Sequence, residues 1–139
     1  MSVQRNGRCL CGKVGISVAV SADKVGACHC DMCRRWGGGP LLALDCGTDV
    51  KFSGEQHVRA FRSSDWASRG FCAECGTHLF YRLSQNGQYI IPVGLFDNAD
   101  DVVFDHQVCI DSKPAYYSFA EYTHNMTCEE MFAAFAPPQ

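Results

Sequence analysis

Cysteine spacing constrains this chain more than any other feature. Seven of its ten cysteines fall into three tight clusters: Cys9-Leu10-Cys11, Cys28-His29-Cys30-Asp31-Met32-Cys33 and Cys72-Ala73-Glu74-Cys75. Thiolates one to three residues apart turn onto one ion with little backbone strain, and Zn²⁺ takes about four soft or borderline ligands in a tetrahedron. The clusters supply two, three and two thiolates. Two plus two makes a closed site. Three alone leave a position open, and an open position is where function can enter.

A disulfide framework is the competing reading of an even cysteine count in a chain of 139 residues. Cysteines this close in sequence are poor disulfide partners. The opening stretch Met1-Ser2-Val3-Gln4-Arg5-Asn6-Gly7-Arg8 has no apolar run of signal-peptide type. A reducing, cytoplasmic setting is therefore expected, with the cysteines as thiols or metal ligands. Hydrophobic residues at 47% and charged residues at 19% make a globular composition, consistent with one zinc-binding domain over residues 1–139. The formal charge of −3 gives no electrostatic reason to expect nucleic acid or anionic membrane as a partner. No apolar run approaches the ~20 residues that span a bilayer.

The hydrophobic pattern is mostly of strand type. Val14, Ile16, Val18 and Val20 alternate onto one face. Further strands are expected over 40–46, 50–52, 57–61, 77–83, 88–93, 102–104 and 108–110, with a hairpin turn at Asn86-Gly87. The glycines of Gly37-Gly38-Gly39-Pro40 mark a loop, because no Lys-Ser/Thr follows to make a phosphate-binding motif. Only Cys128–Phe135 reads as a helix, capped by Thr127 with Glu130 three residues on. Many short strands and one terminal helix predict an all-β domain.

Cys9, Cys11, Cys72 and Cys75 form the closed set. Cys72-x-x-Cys75-Gly76 is a zinc knuckle, whose glycine lets the backbone turn its amides toward the sulfurs, and Cys9-x-Cys11-Gly12 is a tighter version. Joining them closes a loop of roughly 60 residues and turns metal-binding energy into folding energy. Four thiolates leave no open position, so this zinc is expected to be structural. A redox role for Cys72-x-x-Cys75 lacks the βαβ surroundings of a thioredoxin-like motif.

Cys28, Cys30 and Cys33 form the open set, with no evident fourth ligand. His29 lies between two ligands and is expected to point away. Aspartates and the remaining cysteines Cys46, Cys109 and Cys128, read as free, are possible donors. Water or an exogenous thiol is the alternative. A small thiol bound at such a zinc loses its proton and becomes a nucleophile at neutral pH. Arg34 and Arg35 can hold carboxylates of a peptide-like substrate, and Trp36 can wall the pocket. Equally, a fourth protein ligand would make this a second staple, with Arg34 and Arg35 a solvated basic patch. Phe61, Phe71, Phe80 and Phe135 are expected in the core, and Cys46 and Cys109 as buried small hydrophobes.

Three motifs in order carry a family resemblance. Gly7-Arg8-Cys9-Leu10-Cys11-Gly12-Lys13-Val14, Cys28-His29-Cys30-Asp31-Met32-Cys33-Arg34-Arg35 and Arg69-Gly70-Phe71-Cys72-Ala73-Glu74-Cys75-Gly76-Thr77-His78-Leu79 are similar to the motifs of the glutathione-dependent formaldehyde-activating enzymes. That family also includes centromere protein V-like proteins. The resemblance implies an Mss4-like fold of several coiled antiparallel sheets with a short C-terminal helix. It implies two Zn²⁺ ions, a structural one on Cys9, Cys11, Cys72 and Cys75 and a catalytic-type one on Cys28, Cys30 and Cys33. It also implies a carbon–sulfur lyase similar to S-(hydroxymethyl)glutathione synthase, with glutathione and an aldehyde such as formaldehyde as substrates. Lys113 then joins Arg34 and Arg35 as a candidate carboxylate contact. The C-terminal part departs from the family's H-I-aromatic-V-D-S-K: Gln107 stands at the His, Cys109 at the aromatic, and Tyr116 where Trp is usual. The rival function is a non-catalytic two-zinc interaction module or thiol carrier, since fold does not fix function.

Overall fold

The computed structural model describes residues 3–20 and 23–135, and these form eleven strands and two α-helices. The strands are β1 (Val3–Arg8), β2 (Gly15–Val20), β3 (Lys24–Cys28), β4 (Leu41–Asp45), β5 (Val50–Ser53), β6 (Val58–Arg62), β7 (Ala67–Cys72), β8 (His78–Leu83), β9 (Tyr89–Pro92), β10 (Val103–Val108) and β11 (His124–Asn125). The helices are α1 (Asp31–Gly37) and α2 (Cys128–Phe135). The mainly β expectation holds. The chain divides into two compact units, Met1–Asp23 with Ala43–Val102, and Lys24–Leu42 with Val103–Gln139.

In the first unit, alternation does what the sequence pattern requires. Val14 just before β2, and Ile16 and Val18 within it, are buried, and β2 pairs antiparallel with β1 on one side and β5 on the other. A second antiparallel run orders β9-β8-β7-β6, with Ala43–Asp45 of β4 paired to β9. Leu44, Leu79 and Ile91 are fully buried, and Phe80 meets Phe52 and Tyr89 at ring separations of 5.5 and 5.1 Å. Arg5 is buried as well. Its guanidinium grips the Asp101 carboxylate with two bonds of 2.9 and 2.8 Å and the Asn98 carbonyl at 3.0 Å, satisfying a charge that burial would otherwise penalise.

The second unit differs from the all-antiparallel expectation. β10 lies between β3 and β11 and is parallel to both. A parallel pair needs a long crossover, and the chain between β3 and β10 supplies one. Of the strands expected over 102–104 and 108–110, the first lies at the start of β10, which runs on through the polar Asp105-His106 to Val108; the second does not form, because the chain leaves the strand at Cys109 and enters a 3₁₀ turn at Ile110–Ser112.

Other differences have local causes. α1 carries no helical period because it is seven residues long and its first turn overlaps the cysteine motif. β1 and β7 have too many polar and small residues to show alternation, and β7 is nonetheless buried for most of its length. Phe61 is 64% exposed on β6, not core. Phe80 is buried as expected, Phe71 is half-buried, and the Phe135 and Val20 side chains lie outside the described residues. The Thr127–Glu130 capping box forms in both directions, with amide-to-side-chain bonds of 3.0 and 3.1 Å. Cys46 is the buried small hydrophobe expected. Burial first, and then Asp45, push its thiol up to about 12. Cys109 and Cys128 are not free, because they are joined in a disulfide. No described helix is long and apolar enough to cross a membrane.

Candidate metal centres and their surroundings

The closed set assembles within the first unit. β1 ends at Arg8, and the chain turns through Cys9–Gly12, closed by the Gly12 amide on the Cys9 carbonyl at 3.1 Å. β7 ends at Cys72, and the Cys72–Gly76 turn closes the same way at 2.8 Å. Gly12 and Gly76 carry φ of 81° and 78°, the left-handed conformation that a tight knuckle requires and that a Cβ disfavours. The Leu10 amide donates to Thr77 Oγ1 at 3.0 Å and ties one turn to the other. All four sulfurs lie within 4.8 Å of one another, and neighbouring pairs stand at 3.6 Å (Cys9–Cys11) and 3.8 Å (Cys11–Cys72). A tetrahedron with Zn–S of about 2.3 Å has sulfur–sulfur edges of about 3.8 Å. The donor set therefore fits a tetrathiolate ion.

Amides and hydroxyls point at these sulfurs. The Val14 amide donates to Cys9 Sγ at 3.3 Å, and Thr77 Oγ1 lies 3.1 Å from Cys75 Sγ. The Thr77 hydroxyl and then its amide lower the Cys75 thiol to about 5. Hydrogen bonds to a thiolate favour the charged, metal-binding form.

The open set forms in the second unit, where β3 runs into α1. Cys28 is the last residue of β3. Cys30 is the helix cap, extended at φ −63° and ψ 159°, and its sulfur accepts the Cys33 amide at 3.3 Å. A cysteine sulfur replaces the usual Ser or Asp cap oxygen, so the first turn of α1 presents Cys30 and Cys33 on the same side. The three sulfurs lie within 4.8 Å of one another, and among the described residues no fourth Cys, His, Asp or Glu joins them. Their crowding, with Cys30 and then Cys33 foremost, raises the Cys28 thiol. Three sulfurs this close are compatible with a shared cation, whose charge would offset the repulsion between thiolates.

His29 turns away from the sulfurs, as the sequence suggests, into a network that sequence reasoning missed. It is fully buried. Its Nδ1 lies 2.7 Å from the Tyr117 hydroxyl and its Nε2 lies 2.7 Å from Gln107 Oε1. Gln107 Nε2 donates to Thr123 Oγ1 at 2.8 Å, which directs Oε1 toward the imidazole. His29 Nε2 is then the protonated nitrogen, and Tyr117 donates to Nδ1. Burial lowers the His29 pKa and keeps the ring neutral. Tyr117 and Phe119 pack around the ring with centroids 5.5 and 6.1 Å away.

The candidate substrate contacts separate by environment. Arg34 is anchored, its Nε donating to the His29 carbonyl at 2.9 Å. Arg35 is exposed and pairs with Asp31 at 3.0 Å one helical turn back. Trp36 is half-buried on the same helix. Lys113 Nζ donates to the carbonyls of Pro114 and Tyr117 and to Ser118 Oγ, so it holds the 113–118 loop. An open depression of about 400 Å³ in this unit is lined by Lys113 together with Gln107, Ser118, Glu121, Tyr122 and Asn125.

Residues 4–112 match the family described as glutathione-dependent formaldehyde-activating enzyme. The chain belongs to that family. It is also 37% identical over 127 residues to an uncharacterized lyase of Schizosaccharomyces pombe, covering 90% of this chain and 92% of the relative. A crystal structure of a Rhodobacter sphaeroides protein superposes with a TM-score of 0.57 at 26% identity, covering 67% of this chain and 88% of that one. Both cysteine sets fall inside the matched region, whereas Tyr117, the partner of His29, lies beyond it.

Proposed function

We propose that this protein is a zinc-dependent carbon–sulfur lyase that joins a small thiol, glutathione, to an aldehyde, formaldehyde in the first instance, and catalyses the reverse cleavage. One observation carries the reading: a three-cysteine group at the start of α1 that no fourth Cys, His, Asp or Glu joins among the described residues. Family membership and the lyase name of the yeast relative support it.

In this reading Cys9, Cys11, Cys72 and Cys75 hold a structural zinc, and Cys28, Cys30 and Cys33 hold a second. Zinc in the second set would supply Lewis acidity, holding an incoming thiol as its thiolate at neutral pH. The protein's own residues do the rest. The Cys30 cap and the buried His29 fix the three sulfurs against the helix start. Arg34, anchored at Nε, offers its guanidinium fork to a substrate carboxylate, and Arg35 and Trp36 follow it in the last turn of α1. Lys113 contributes by shaping the loop that carries Tyr117. In the reaction the substrate sulfur forms a bond to the aldehyde carbon, the carbonyl π pair moves to oxygen, and that oxygen takes a proton. The reverse reaction breaks the carbon–sulfur bond.

The test is calorimetric titration of the zinc-loaded protein with glutathione, followed by NMR observation of formaldehyde with both present. Saturable binding and faster approach to the S-hydroxymethyl adduct are expected. Binding without faster turnover would make the protein a thiol carrier. No binding at millimolar glutathione would overturn the proposal.

A further inference from the structure

A second piece of sulfur chemistry lies apart from both metal sets. Cys109 and Cys128 are bonded to each other across a separation of 19 residues, and neither belongs to a cysteine group that can hold a metal. Cys109 follows β10 and caps the 3₁₀ turn at Ile110–Ser112, and Cys128 opens α2.

Three features distinguish this bond from an inert staple. Cys109 has φ of 54°, the one positive φ of a non-glycine among the described residues. A side chain disfavours that conformation, and such strain persists only where the surroundings impose it. The two sulfurs also differ in access. Cys109 is 1% exposed, whereas Cys128 is only partly buried.

Finally, hydrogen bonds join the same segments beside the bond. The Ile110 amide donates to the Met126 carbonyl at 3.0 Å, the Met126 amide to the Gln107 carbonyl at 2.9 Å, and the Cys128 amide to Asp111 Oδ1 at 3.0 Å. The capping box at Thr127 and Glu130 holds the helix start independently. Two thiols released here remain neighbours, which is what a reversible couple needs.

We propose that Cys109–Cys128 is a redox-active pair that exchanges with small monothiols of the glutathione class, with Cys128 the sulfur attacked. The incoming thiolate forms a bond to Cys128 Sγ. The Cys109–Cys128 bond breaks, its electron pair leaves on Cys109 Sγ, and that sulfur takes a proton. A second monothiolate attacks the small-molecule sulfur of the mixed disulfide and releases Cys128. Two monothiols are oxidised to one disulfide as the protein pair gains two electrons and two protons. Ser112 Oγ, 3.7 Å from Cys128 Sγ, is placed to donate to the sulfur. Closed, the bond fastens α2 to the end of β10; open, the two are held by hydrogen bonds alone.

The pair is tested on the full chain, metal-loaded and purified without reductant. It is equilibrated in mixtures of reduced and oxidised glutathione, quenched and unfolded in acid, alkylated and mapped by peptide mass spectrometry. Cys109 and Cys128 are expected to be unlabelled at the oxidising end and to gain label together as reduced glutathione increases. In Cys109→Ser, oxidised glutathione is expected to leave an adduct on Cys128. In Cys128→Ser, the buried Cys109 is expected to remain free of it. Three results would each overturn the proposal: label on both cysteines before any reductant, a bond that survives the most reducing mixture, or an adduct formed at Cys109. The wild-type titration stands even where a variant fails to fold, and none of these readouts depends on lyase activity.

Discussion

Removing the closed cysteine set should cost far more stability than removing the open one, for a reason of chain geometry. Cys11 and Cys72 are 61 residues apart and their sulfurs meet at 3.8 Å. Cross-linking a loop of 61 residues restricts the unfolded chain by about 4 kcal/mol at room temperature, whereas the short Cys28–Cys33 loop gives about 2 kcal/mol by the same relation. The perturbation is Cys72→Ser/Cys75→Ser compared with Cys28→Ser/Cys30→Ser. The assay is urea unfolding of each variant and the wild type, with zinc and with a chelator. Wild type should lose stability on chelation. The 72/75 variant should lose most of its zinc-dependent stability, and the 28/30 variant should retain the larger share. The difference between the two losses is expected to be about 2 kcal/mol. Equal losses, or zinc-independent unfolding of the wild type, would refute the division of the cysteines into a fold-closing set and a local one.

Gln107→Leu strands the protonated Nε2 of a fully buried His29; it should cost about 1–3 kcal/mol, read as a fall in Tm, with weaker metal retention by Cys28, Cys30 and Cys33. Gly70 faces Phe80 across β7 and β8, and a Cβ there would stand 2.2 Å from the ring, so Gly70→Ala should destabilise by about 1–3 kcal/mol through overpacking. Hydrogen bonds from Arg5 hold the Asp101 carboxyl below its ordinary value. That stabilisation is fully present above the unfolded carboxylate pKa and is lost as pH falls through the depressed folded value. The Tm difference between wild type and Asp101→Asn should therefore narrow below pH ~4; a difference independent of pH would contradict it.

What the sequence reveals and what it hides follow from how local each interaction is. Each knuckle is written within five residues, so the candidate ligands are legible, and counting thiolates is enough to group the outer clusters, whose sulfurs lie within 4.8 Å of one another. The β2 face is legible because Val14, Ile16 and Val18 alternate onto a buried side. α1 is hidden because its one buried residue is Cys33, which the metal motif already explains. The environment of His29 depends on Gln107 and Tyr117, 78 and 88 residues away, and no pattern announces a hydrogen bond over that span. Cys109 and Cys128 sit singly in runs that read as a strand and a helix. Only the parallel pairing of β10 with β3 and β11, which brings the C-terminal segment back alongside, makes them partners.

Cobalt in place of zinc gives a spectroscopic count of thiolates, and a glutathione titration of the cobalt-loaded protein tests the open set. A sulfur-to-cobalt charge-transfer increase equivalent to one added thiolate is expected in the wild type and in Cys109→Ser, and none in Cys30→Ser/Cys33→Ser. A wild-type spectrum unchanged through millimolar glutathione would contradict the reading that Cys28, Cys30 and Cys33 leave a place for substrate sulfur.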